Sequence, residues 1–159
     1  MCGFAGFVGA GDEAALQAMC VPLAHRGPDD SGSWHGGTAQ SPVCLGFRRL
    51  AILDIEGGNQ PMASGNGKLV VVFNGEIYNF RELRSELESL GHQFHSDHSD
   101  TEVLLYAYHQ WGDEMVTHLS GMFSFVLYDG ERQRLFCARD RFGKKPLFFA
   151  RRRDGLIFA

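Results

Sequence analysis

Cys2 stands directly after Met1. Removal of the methionine leaves a thiol beside a free α-amino group, and such groups titrate near about 8.5 and about 7.7–8.0. The amine can therefore serve the thiol as its own base, an arrangement that activates an N-terminal nucleophile without a separate histidine. Taken alone, Cys2 reads more simply as a small buried residue opening a strand, and it is the other segments that shift the balance. Asn74-Gly75-Glu76 follow the apolar run Leu69 to Phe73. An asparagine amide and a glycine N–H aimed at one oxygen form an oxyanion hole, yet Asn-Gly is also the strongest short hairpin signal. Arg49 lies inside the apolar run Val43 to Leu53, where an arginine faces solvent or grips a carboxylate with two parallel hydrogen bonds. Strand residues alternate faces, so at most one of Arg48 and Arg49 shares a face with the core or a pocket. Asp100, within Ser99-Asp100-Thr101-Glu102, reads as part of a helix N-terminus with charges that suit the helix dipole.

The elements that position these residues are legible in outline. Cys2 to Val8 reads as a first strand. Glu13 to Leu23 has helical spacing opened by Asp12 as N-cap. Gly27 to Gly32 is loop-like in composition. Val43 to Leu53 and Lys68 to Phe73 read as strands, the second turning at Asn74-Gly75. Phe80 to Leu90 places Leu83, Leu87 and Leu90 on one helical face and is stopped by Gly91. Thr101 to Trp111 is another helix with a broad apolar face. From Met122 onward, the runs FSFVLYD, RLFCARD and PLFFA read as an antiparallel meander, with Phe123, Phe125, Phe136, Phe148 and Phe149 as ordinary core. Arg151-Arg152-Arg153 before Asp154-Gly155 reads as a solvated hairpin. The fold class is α+β with mainly antiparallel strands, because long βα alternation is missing.

Bulk properties narrow the classes of function. At 159 residues the chain is one domain's worth, without internal repeats or a Pro/Ser-rich linker. A net charge of −4 and a pI near 5.9 give no electrostatic reason to expect nucleic acid or an anionic membrane as partner. The apolar runs are too short to span a bilayer, and MCGFAGFVGAG has no basic residue and too many glycines for a secretory signal. A cytoplasmic location is the expectation. Cys2, Cys20, Cys44 and Cys137 form no Cys-x-x-Cys pair, which argues against zinc ribbons and thioredoxin-like chemistry. His92, His95 and His98 in GHQFHSDH read as solvated surface histidines on a loop or short strand; in a strand the spacing puts His92 and His95 on opposite faces. No metal is expected.

Taken in order, Cys2-Gly3, His25-Arg26-Gly27-Pro28-Asp29, Arg49-Leu50-Ala51-Ile52-Leu53-Asp54, Asn74-Gly75-Glu76-Ile77-Tyr78-Asn79, Ser99-Asp100-Thr101-Glu102, Ser120-Gly121-Met122-Phe123 and Arg139-Asp140-Arg141-Phe142-Gly143-Lys144-Lys145-Pro146-Leu147 resemble the glutaminase domain of glutamine-dependent asparagine synthetases. These are class II amidotransferases with an N-terminal-nucleophile hydrolase fold, and the resemblance spans the chain. It implies a four-layer αββα sandwich with two antiparallel sheets. It implies that Cys2 attacks the side-chain amide of free L-glutamine while the Asn74 side chain and the Gly75 N–H hold the oxyanion. Arg49 would clamp the α-carboxylate, and Asp100 with the Glu76 region would receive the α-ammonium. Leu50, Ala51, Ile52 and Leu53 would line the pocket, and the loop His25 to Asp29 would close over it.

The resemblance further implies a C-terminal synthetase domain that uses ATP and Mg, with no cofactor in the present 159 residues. The abrupt end in GLIFA fits a domain cut from a longer protein, and a homodimer is compatible with the reading. Two other readings stay open: an asparagine synthetase-like amidotransferase with a different acceptor, and a non-catalytic docking relative. Activity is expected only from the chain that has lost Met1.

Overall fold

The computed structural model describes residues 2–50 and 59–159. Among the described residues, nine strands form two antiparallel sheets. In chain order the elements are β1 (Gly3–Gly9), α1 (Glu13–Cys20), β2 (Asp30–Gly37), β3 (Pro42–Arg49), β4 (Met62–Ala63), β5 (Leu69–Ile77), α2 (Phe80–Ser89), α3 (Asp100–Trp111), α4 (Met115–His118), β6 (Gly121–Asp129), β7 (Arg134–Arg139), β8 (Phe149–Arg152) and β9 (Gly155–Phe158). One sheet runs β2-β3-β1-β9-β8 and the other β4-β5-β6-β7.

The layering follows from the two-residue period of the strands. Phe4, Val43, Leu45 and Phe47 of the first sheet meet Val70, Val72, Val126 and Tyr128 of the second in a core between the sheets. The opposite face of the second sheet (Val71, Phe73, Phe125, Leu127) packs on Leu83 and Leu87 of α2 and on α3. The opposite face of the first sheet (Ala5, Phe7, Cys44) packs on Leu16 and Cys20 of α1. Helix, sheet, sheet and helix are therefore stacked in four layers, as the resemblance implied.

Local chemistry explains the element ends. Asp12 caps α1 by accepting from the Ala15 N–H at 2.9 Å, and Ser99 caps α3 through the Glu102 N–H, each satisfying a donor the helix leaves unpaired. Gly91, at φ +95°, takes the left-handed position after α2 that side chains avoid. The Glu102 carboxylate accepts from the N–H groups of His95 and Ser96 at 2.7 and 2.9 Å and so ties the loop ahead of α3 to its first turn.

Several expectations are corrected. α1 ends at Cys20, and Val21–Leu23 continue as a 3-10 turn. Asp30 to Gly32 belong to β2, not to a loop. Asn74-Gly75 is not a hairpin: β5 runs on to Ile77, because β6 pairs with it along its whole length and this ladder outweighs local turn propensity. A Cβ on Gly75 would lie 2.2 Å from the Met122 carbonyl oxygen, so glycine is needed there for close strand approach. The C-terminal strands are not one meander. β6 and β7 pair in the second sheet, whereas β8 and β9 cross to the first, beside β1. Phe148 and Phe149 are 71% and 70% exposed, and Leu90 is also exposed, because β8 is an edge strand and α2 has ended. The portion of the expected Val43–Leu53 strand from residue 51 onward lies outside the described residues.

The crossover from β7 to β8 hangs on Asp140. Its carboxylate accepts from the N–H groups of Phe123, Phe142, Lys144 and Lys145. Burial pushes this carboxyl up, but the backbone donors outweigh it and hold it below its ordinary value. Asp140→Ala should cost about 2 kcal/mol or more by leaving buried donors unpaired, measured by urea unfolding. Since the folded-state value is depressed, the wild-type advantage over Asp140→Ala should be present at neutral pH and shrink as pH falls through the ordinary 3.8.

Candidate active site

The β1–β3 ladder builds the centre of the site. Gly3 pairs with Arg48 and Phe4 with Phe47, so one step further the register sets Cys2 opposite Arg49. Cys2 packs against the core between the sheets, and the period of β3 turns Arg49 to the same face as Phe47 and Leu45. Of the two neighbouring arginines it is Arg49 that faces the pocket, and it is 6% exposed. Its guanidinium donates to Asn59 Oδ1 at 3.2 Å. The Leu50 N–H lies 3.4 Å from the Cys2 sulfur, and the thiol in turn reaches the Leu50 carbonyl at 3.8 Å.

The second sheet brings Asn74 to this space from the other side. Val70 and Val72 of β5 face the core between the sheets, and the same period aims Asn74 there. It is 5% exposed and bridges no other side chain among the described residues. Glu76 follows on the same strand face and is exposed. At the end of β5 the Ile77 N–H donates to Asp100 Oδ2 at 3.1 Å, which ties the first turn of α3 to the strand carrying Asn74 and Gly75. Burial pushes the Asp100 carboxyl up to about 6; the Ile77 N–H works against that push and the Glu76 carboxylate adds to it.

The segment His25 to Asp29 is pinned against Cys2 and Arg49. Arg26 Nε donates to the Cys2 carbonyl at 3.2 Å, and the Asp29 N–H donates to the Arg49 carbonyl at 3.0 Å. Gly27 packs so closely on Arg48 that a Cβ would lie 2.4 Å from its backbone. Within the covering loop implied by the resemblance, the sequence assigns Arg26 no contact of its own, and it does not single out Gln60. The Gln60 carbonyl Oε1 accepts from the Phe73 N–H at 2.6 Å and its Nε2 donates to Thr101 Oγ1 at 3.4 Å, joining β5 to α3. An isolated glutamine before a proline carries no signal that could have revealed this.

Thus Cys2, Arg49, Leu50 and Asn74 converge between the sheets, with Gly75, Glu76 and Asp100 at the adjoining end of β5. Met1, Ala51, Ile52 and Leu53 lie outside the described residues. Within them, no three His, Cys, Asp or Glu side chains converge as a metal site. His92 bonds Gln110 and His98 pairs with Asp97. All four cysteines are free thiols, and among the described residues no helix is long and apolar enough to cross a membrane.

The family model of the glutamine amidotransferase domain matches residues 1–159. The chain belongs to that family. This amidotransferase domain is 42% identical, over 99% of its length, to glutamine-hydrolyzing asparagine synthetase 3 of Bacillus subtilis and 44% identical, over its whole length, to a putative glutamine-hydrolyzing asparagine synthetase of Mycobacterium bovis. It spans 26% and 27% of those relatives. Among solved structures, the Bacillus subtilis glutamine phosphoribosylpyrophosphate amidotransferase superposes with a TM-score of 0.73 over 98% of this domain and 41% of that chain. At 19% identity that likeness bears on the fold, which it matches.

Asp100 generates a pH prediction. Its folded-state value lies above the ordinary 3.8, so folding takes up a proton between 3.8 and about 6; this group favours the fold as pH falls through that window and costs stability above it. Chemical denaturation of Asp100→Asn should therefore show its largest gain in stability over wild type above pH 6, and no gain at pH 4.

Proposed function

We propose that the domain hydrolyses free L-glutamine to glutamate and ammonia through a thioester on Cys2. The observation that carries this reading is the register that sets Cys2 opposite Arg49 on the inner face of one sheet, with Asn74 on the inner face of the other. Once Met1 is removed, the α-amine of Cys2 takes the thiol proton and the sulfur attacks the amide carbon of glutamine. The carbonyl oxygen becomes an oxyanion held by the Asn74 NH2 and the Gly75 N–H. Collapse of the intermediate breaks the C–N bond, and the protonated amine returns its proton to the departing ammonia. Water then attacks the thioester, giving glutamate and the free thiol.

Free glutamine suits the charges at hand. Arg49 takes the α-carboxylate, and Asp100 and Glu76 take the α-ammonium. Leu50 lines the glutamine pocket, Ala51, Ile52 and Leu53 being the further binding residues that the family resemblance implies, and His25 to Asp29 shield the thioester from bulk water. A glutamine within a peptide would leave these charged groups unpaired, at a cost of about 1–3 kcal/mol each.

The ammonia serves asparagine synthesis from aspartate and ATP in a longer cytoplasmic protein, with ATP and Mg held by its synthetase part. Two facts favour this acceptor and partner. The curated relatives named above are asparagine synthetases about four times as long. The exposed residues Phe142, Phe148 and Phe149 offer apolar surface suited to packing against a partner domain.

Cys2→Ala in the processed protein should abolish glutamate release in a coupled dehydrogenase assay; equal release from both proteins would favour a non-catalytic docking domain. Arg49→Ala should raise the KM for glutamine about tenfold or more while changing kcat little, since it removes a contact made in ground and transition states alike. Intact-mass analysis should find Met1 absent from the active protein.

A further inference from the structure

Ser124 lies near the middle of β6, is fully buried, and its hydroxyl has no hydrogen-bond partner among the described residues. Such orphans are rare in folded proteins and call for an explanation. The residues that share its strand face, Val126 and Tyr128, point into the core between the sheets. Ser124 therefore points toward the same space as Cys2. Directly opposite it on β5 is Asn74.

Opposed residues of an antiparallel pair share a face, with Cβ atoms about 4.5–5.5 Å apart. A serine hydroxyl and an asparagine amide across that gap come within one hydrogen bond by rotation of their side chains alone. Asn74 has a specific need for such a neighbour. Half a turn of its amide exchanges the NH2 donors for the carbonyl acceptor, and the two orientations occupy nearly the same volume. Only one of them stabilises an oxyanion; the other sets oxygen against oxygen.

We propose that Ser124 is a positioning residue of the oxyanion hole, donating its hydroxyl proton to Asn74 Oδ1 and so directing the Asn74 NH2 toward the reacting carbonyl. The two side chains are not bonded to each other as they stand. The bond is completed when the amide oxygen of glutamine draws the NH2 toward Cys2 and leaves Oδ1 to the hydroxyl. Ser124 acts through Asn74 and does not touch the substrate. The inference rests on the reading of Asn74 as oxyanion donor.

The test is a set of variants of the processed protein, assayed for glutamate release and for thermal unfolding. Ser124→Ala should lower kcat about tenfold, with the KM for glutamine within about twofold, and should melt no lower than wild type because it removes an unpaired buried hydroxyl. Ser124→Thr keeps the hydroxyl and should retain most of kcat. In an Asn74→Ala background, adding Ser124→Ala should cause no further loss. A wild-type kcat for Ser124→Ala, or an equal loss in both backgrounds, overturns the positioning role. Unchanged kcat in Asn74→Ala would instead overturn the oxyanion reading on which it stands.

Discussion

The strict two-residue period of paired strands is the constraint on which the rest depends. Once β1 and β3 are locked in register, Cys2 has no choice but to face the space between the sheets, and Arg49 must face it too. A slip of one residue would turn both outward and bring Arg48 in. The apolar pairs behind them, Phe4 against Phe47 and Leu45 between the sheets, hold that register because a slip would also expose them. The hydrophobic core and the inward position of Cys2 are thus specified by the same hydrogen-bond ladder.

The polar groups of the site add to this frame without loosening it. Asp100 is pulled into the fold by the Ile77 N–H, so the start of α3 and the end of β5 move as one piece. Gln60 adds a second tie between the same two elements. Arg26 holds the Cys2 carbonyl. Each of these side chains meets a backbone group that the sheet or helix leaves without a partner, which is why their partial burial is tolerated. The candidate site is thus held in place by bonds within the fold itself.

Local patterns predicted what short-range physics controls. Helical spacing located α2 and α3 to within a residue or two; the Asp12 cap was legible, and Ser99 to Glu102 as a helix start, because an N-cap is a contact between near neighbours, while the structure singled out Ser99 as the cap. The pairing of β8 with β9 across Asp154-Gly155 was legible for the same reason. The turn read at Asn74-Gly75 failed because its rival is a partner strand more than forty residues away. The single meander failed because a sheet's edge, and hence where β8 docks, is decided by which sheet has an edge to offer. Phe148 and Phe149 look like core in an apolar run, yet lie on that edge with no strand beyond them.

The sequence by itself determined the chemistry available: a thiol directly after the first methionine, an arginine in an apolar strand, an asparagine followed by glycine, and an acidic residue opening a helix. The ordered motifs also carried the family resemblance and, through it, the four layers. Only the tertiary structure decided that Arg49 and not Arg48 turns inward, that Asn74 sits within a strand, and that Gln60, Arg26 and Ser124 surround the site. Those outcomes depend on register and sheet order, which join residues far apart in the chain, and no local pattern encodes a contact whose other half lies in a different segment.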